Sequence, residues 1–223
     1  MKLWPRVFLA LLLLTIPGAA SASTISFTGT FTADDDVQLF TFDLLTAGTV
    51  TITTFGYAGG TNGAGSTIAA GGFDPDIAVF QGTGPSASLI GVNSDAGCGT
   101  VNADATTGAC WDSQLVLTLL PAGTYTLALT QYANLALGPL LSDGFGQVGN
   151  GNFTGPMFLG TVGSFIDANL AQRTGAWAVD IGGVNSAFVN GGPAPVPEPA
   201  SMVLLASGLA AAFGYRRRLR FHH

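Results

Sequence analysis

The residues of this chain that could do chemistry are almost all aspartates. Asp74 and Asp76 flank a proline in Phe73-Asp74-Pro75-Asp76, Asp95 closes Asn93-Ser94-Asp95, and Asp112 follows Cys110-Trp111. Each group adjoins an apolar run, so each is expected at a strand end, where a sandwich could gather Asp74, Asp76, Asn93, Asp95 and Asp112 on one rim. Hard cations take oxygen ligands, and Ca2+ asks for roughly six to eight of them from carboxylates, amide carbonyls and backbone. The set does not follow an EF-hand loop, which ends on a glutamate that this region lacks. The competing reading is that these aspartates shape and solvate turns. Asp34-Asp35-Asp36 is a further acidic group that caps a turn or joins another site.

Other chemistries are limited by missing residue types. Between Ser23 and Pro195 there is no histidine, no lysine and no glutamate. A histidine-assisted serine or cysteine nucleophile, and a histidine-bound zinc, are therefore excluded there. Asp74 with Asp76 is the naive pair for hydrolysing a glycosidic bond. Two acids around a proline more often shape a turn, so no catalytic residue is assigned and an enzyme is not expected. Trp111, Trp177, Tyr57, Tyr125 and Tyr132 could stack on sugar rings, with core or rim packing as the alternative.

The charge balance separates classes of partner. The same span carries twelve aspartates against one cation, Arg173, a balance of −11 that the whole-chain value of −6 conceals. Such a surface repels phosphate and argues against nucleic-acid binding, while attracting multivalent cations or basic partners.

The elements that must position these residues are strands. Ile25, Phe27 and Phe31 alternate with threonines and serine, Phe40, Phe42 and Leu44 follow the Asp34 turn, and Val50 and Ile52 alternate with threonines. Leu115, Leu117 and Leu119, then Tyr125, Leu127 and Leu129, repeat the pattern, which is that of half-buried strands, and the apolar runs Ile77 to Phe80 and Leu89 to Val92 are read as strands beside them. Further strands are expected over Met157 to Val162, Gly175 to Ile181 and Val184 to Val189, with one short helical turn over Asp167 to Arg173. Residues 56–72 and 134–155 read as loops. Many short strands without a long helix imply an all-β domain, an antiparallel β-sandwich or jelly roll over residues 23–190. The segment Leu44-Leu45-Thr46-Ala47-Gly48-Thr49-Val50 is echoed by Leu119-Leu120-Pro121-Ala122-Gly123-Thr124-Tyr125. Two hairpins using the same turn chemistry explain the echo without a duplication.

The aspartate-bearing segments, together with Asn93-Ser94-Asp95, Asp112-Ser113 and Pro121-Ala122-Gly123-Thr124-Tyr125, resemble bacterial pre-peptidase C-terminal domains over roughly Phe27 to Tyr132. That resemblance implies a jelly-roll-like sandwich, sometimes calcium-bearing, that serves as a binding or targeting module.

Both ends of the chain read as addresses. Lys2 and Arg6 precede an apolar core from Val7 to Ile16 and then Ala20-Ser21-Ala22, the order of a secretory signal peptide over 1–22 with cleavage after Ala22. Cys98 and Cys110 are then expected in an oxidising compartment, where a disulfide closing their loop is worth roughly 3 kcal/mol. After a Gly/Pro linker over 191–199 come Pro197-Glu198-Pro199, an uncharged apolar stretch over 200–215, and a basic tail over 216–223 with Arg216, Arg217, Arg218 and Arg220. As a helix the stretch would cover about 24 Å, short of a bilayer core of about 30 Å, with the arginines retained on the cytoplasmic side. The three-part order resembles the PEP-CTERM sorting signal of Gram-negative bacteria. It implies a membrane-embedded exosortase as partner, an inner-membrane-anchored precursor, removal of the tail, and delivery to the surface or matrix of exopolysaccharide-producing cells. A permanent tail anchor is the alternative.

The expectation is thus an exported, non-enzymatic surface or matrix protein that requires no cofactor. A calcium-ordered carbohydrate- or protein-binding module, with polysaccharide as a partner, is second, and an aspartate-based glycosidase third.

Overall fold

The computed structural model describes residues 23–190. The signal segment, the linker, the apolar stretch and the basic tail, with the two flanking helices expected there, lie outside the described residues. Within them nearly everything regular is β.

Eleven strands follow the alternation of apolar and polar residues: β1 Ser23–Thr30, β2 Val37–Leu44, β3 Gly48–Thr54, β4 Gly60–Thr61, β5 Thr67–Ile68, β6 Pro75–Gln81, β7 Ser88–Asn93, β8 Gln114–Leu120, β9 Gly123–Gln131, β10 Ala176–Val184 and β11 Ser186–Val189. One antiparallel sheet has the order β1-β10-β3-β8 and the other β11-β2-β9-β6-β7. Leaving aside β11, β4 and β5, this is the eight-stranded jelly roll: chain neighbours lie in opposite sheets except at the β6–β7 hairpin. Phe40, Phe42, Ile77, Val79, Leu127 and Leu129 of one sheet meet Val50, Ile52, Trp177, Val179 and Ile181 of the other in the central core. Trp177 fits because Gly29 stands opposite it; a Cβ on Gly29 would lie 2.2 Å from the indole.

A second cluster lies on the outer face of the β2-β9-β6 sheet. Ala78, Phe80 and Ala128 are covered there by Phe145 and Leu141, carried by the segment after β9. The Leu141 amide donates to the Ala87 carbonyl and the Leu89 amide to the Pro139 carbonyl, tying that segment to β7 and its preceding turn.

Several expectations are corrected. The echoed turns are not hairpins: each crosses from one sheet to the other, so β2 pairs with β9 and β3 with β8. A shift of seventy-five residues carries pairs of one ladder onto the other, Phe40–Leu127 onto Leu115–Ile52 and Phe42–Tyr125 onto Leu117–Val50. The echo therefore reflects a local two-fold axis between two stacked arches, not turn chemistry alone. Residues 157–162 form no strand. Gly155 and Gly163 approach so closely that the chain closes into a π-helical turn over Gly155–Leu159, where a Cβ on Gly155 would meet Gly163 at 2.4 Å. Residues 167–173 form no helical turn, because the Asp167 carboxylate takes the amides of Asn169 and Ala171 and folds them into a tight loop. The 56–72 loop contains the small β4–β5 ladder.

The two ends of the sandwich differ. Short connections, residues 45–47 and 121–122, close one end. The long ones, 31–36, 55–74, 94–113 and 132–175, all leave from the other. This loop end carries the candidate residues.

Candidate functional site

Nine of the twelve aspartates serve as acceptors that hold loops. The Asp34 carboxylate takes the amides of Phe165 (2.6 Å) and Thr154 (2.8 Å) and the Thr154 hydroxyl. Asp35 takes the amides of Gly149 and Gly151, and Asp36 those of Thr32 and Ala33. Asp43 accepts from Thr124 and Ser186 hydroxyls near the arches, Asp143 from the Leu140 amide, and Asp180 from the Gly63 amide. Asp104, Asp112 and Asp167 act in the same way. With lysine absent, backbone N–H groups replace ion-pair partners, and a carboxylate accepting such bonds is well satisfied.

Asp74, Asp76 and Asp95 are the exceptions. Phe73 packs in the central core, so alternation along β6 turns Asp74 and Asp76 to the outer face of their sheet at its loop end. They are only 4% and 3% exposed, yet Asp74 Oδ1 and both oxygens of Asp76 have no hydrogen-bond partner. Burial pushes the Asp74 carboxyl up to about 9, helped by the charges of Asp95 and Asp76. Burial also raises Asp76, to about 6; the Ser94 hydroxyl and the Ala133 amide approach without reaching hydrogen-bond geometry and pull it down, while Asp95 pushes it up. Burial raises Asp95 too, although it stays exposed on the loop after β7. Three acids thus lie near enough to feel one another's charge with little to offset it, an arrangement that disfavours ionisation.

Asn93 and Asp112 share the loop end, but their side chains are engaged. Asn93 Oδ1 accepts from the Gln114 amide at 3.0 Å. Asp112 Oδ1 takes the Thr54 hydroxyl and the Tyr57 amide, and Oδ2 takes the Ala58 amide at 2.8 Å. Burial raises the Asp112 carboxyl, with these donors opposing the shift. The Ser113 hydroxyl lies within hydrogen-bond reach of the carbonyls of Pro75, Asn93 and Ser94 and shares its one proton among them, locking the start of β6 to the end of β7. Asp112 and Ser113 are therefore the mount on which Asp74, Asp76 and Asp95 are carried. Gln131 is also buried with Oε1 unpartnered, but it stands opposite Pro75 and so faces the other side of the sheet.

A second assembly escaped the sequence reading. Arg173, the one cation among the described residues, is buried and reaches three loops at once. Its guanidinium donates to the carbonyls of Gly72 (3.1 Å) and Tyr57 (2.8 Å) and to Asp104 (3.3 Å). It also lies 3.8 Å from Asp167 and 3.8 Å over the Tyr57 ring. The Tyr57 hydroxyl donates to Asp167, and burial pushes its phenol up to about 12. The available signal was that Arg173 is the sole basic residue of an acidic domain, which makes burial with a partner the cheapest state for it. The expected disulfide, Cys98–Cys110, closes the loop that carries Asp104.

The aromatic residues are used in packing. Tyr125 stacks on Phe42, Trp177 meets Phe40 edge-on, Trp111 leans on Tyr57 and Tyr132 stacks on Phe158.

Fold and site together define an acidic jelly-roll domain whose long loops are gathered at one end. Beyond that domain, residues 195–218 match the PEP-CTERM protein-sorting motif, so the chain carries a sorting signal at the position where Pro197-Glu198-Pro199 and the arginines stand. No curated protein matches the chain. Among the described residues no helix is long and apolar enough to cross a membrane.

Proposed function

We propose that this chain is an exosortase substrate whose jelly-roll domain serves, once the tail is removed, as a non-enzymatic component of the cell surface or exopolysaccharide matrix. The observation that carries this reading is the sorting motif over residues 195–218, preceded by a Gly/Pro linker and a folded domain. The chemistry of the domain supports the rest. It has no histidine, lysine or glutamate to act as a base, and most of its carboxylates already hold loop amides. Asp74 and Asp76 have the unequal, raised values a glycosidase pair would need, but both are buried and neither offers a sugar an open cleft.

The test is the intact mass of the exported protein from a host with and without its exosortase-type enzyme. A chain shortened near Pro197 only when the enzyme is present, and left whole when Pro197 and Glu198 are alanine, is the expected result. A chain still ending at His223 in the presence of the enzyme would overturn the proposal.

A further inference from the structure

We infer that Asp74, Asp76 and Asp95 form a binding site for a divalent, oxygen-ligated cation of the size of Ca2+. Two independent observations meet here. First, among twelve aspartates these three alone hold no loop donors, and they are the three that lie together. Second, Asp74 and Asp76 are more than nine-tenths buried, and three of their four oxygens meet no donor in hydrogen-bond geometry. A buried carboxylate oxygen without a donor is costly, and fully buried acids otherwise survive by pairing, by hydrogen bonding or by coordinating a metal. The first two remedies are not supplied: Arg173, the one cation among the described residues, is committed to Asp104, Asp167 and two carbonyls.

The donor set selects the ion. It is oxygen only, without thiolate or imidazole, which suits calcium or magnesium and not zinc or copper. Calcium tolerates irregular, flexible ligand arrangements, whereas magnesium demands near-ideal octahedral geometry. Two of the carboxylates are fixed at the start of β6, Asp76 on it and Asp74 just before it, and the third is exposed on a loop, an irregular set of that kind. Among the described residues no three acidic groups already stand converged at ligand spacing. Like charges repel, and Asp95, exposed on its loop, is the member with room to turn inward. The inference is separate from the sorting proposal, since the tail contributes no ligand.

Calorimetry and thermal melts of the full chain with CaCl2, MgCl2 or EGTA test it. Wild type is expected to bind calcium saturably and to melt higher in calcium than in EGTA, with a smaller effect of magnesium. Asp95→Asn should weaken calcium binding at least about tenfold while leaving the EGTA melt unchanged, because its side chain is exposed. The double variant Asp74→Asn/Asp76→Asn should lose the calcium-dependent shift while still unfolding cooperatively in EGTA, since each amide keeps the shape of the carboxyl it replaces. No calcium binding by wild type, or binding of equal strength in all variants, would overturn the inference.

Discussion

At the scale of single residues, the domain stabilises its carboxylates with backbone donors rather than cations, and Asp104 is the informative case. Burial alone would raise it, but the Thr107 amide and hydroxyl and the Arg173 guanidinium outweigh that and hold it below its ordinary value of 3.8. A lowered carboxyl contributes stability that is present above the unfolded value and lost as pH falls through the folded one. Asp104→Asn is therefore expected to lower the melting temperature at pH 7 and to shrink the difference from wild type below about pH 4. Melts of both proteins between neutral and strongly acidic pH would show it, and a constant gap would refute it. The acids of the loop end were legible in the sequence because Pro75 and the flanking apolar runs mark the edge of a strand. Which of them remain unsatisfied was not. The donors that occupy Asp112 come from residues 54–58, more than fifty positions away in the chain, and local pattern carries no trace of such a pairing.

At the scale of elements, period-two alternation placed β1, β2, β3, β8 and β9 well, because each turns alternate apolar residues toward the central core, whereas β6, buried on both faces, reads only as a short apolar run. Alternation says nothing about the partner, and so the sheet-crossing arches read as hairpins. The end of β8 also contains a cost that pattern could not reveal. Leu119 is 85% exposed and adopts a φ of 55°, the left-handed region that a side chain with a Cβ enters unfavourably. Its apolar surface gains little there. Asn tolerates that backbone, so Leu119→Asn is expected to stabilise the domain by about 1 kcal/mol in chemical denaturation, and a loss of stability would contradict the assignment of strain. The segment from 132 to 175 was the least legible, because its order comes from Asp34, Asp35 and Asp167 holding its amides rather than from any repeating pattern.

At the scale of the molecule, the tight end and the loop end are held by different means. The arches rest on the central core, whereas the loop end depends on Arg173, the aspartates and one covalent link. Removing that link with Cys98→Ser/Cys110→Ser should cost about 3 kcal/mol in denaturant unfolding, the chain entropy of the loop it closes. An unchanged midpoint would mean that Asp104 and Arg173 alone hold the loop. The placement of Arg173 has a further consequence for a protein that carries a sorting signal of this kind. Proteases that grip a basic side chain need one they can reach, and between residues 23 and 190 there is no lysine and a single arginine that is 7% exposed and clamped by three loops. While the loop end stays folded, the domain presents such enzymes with no place to start.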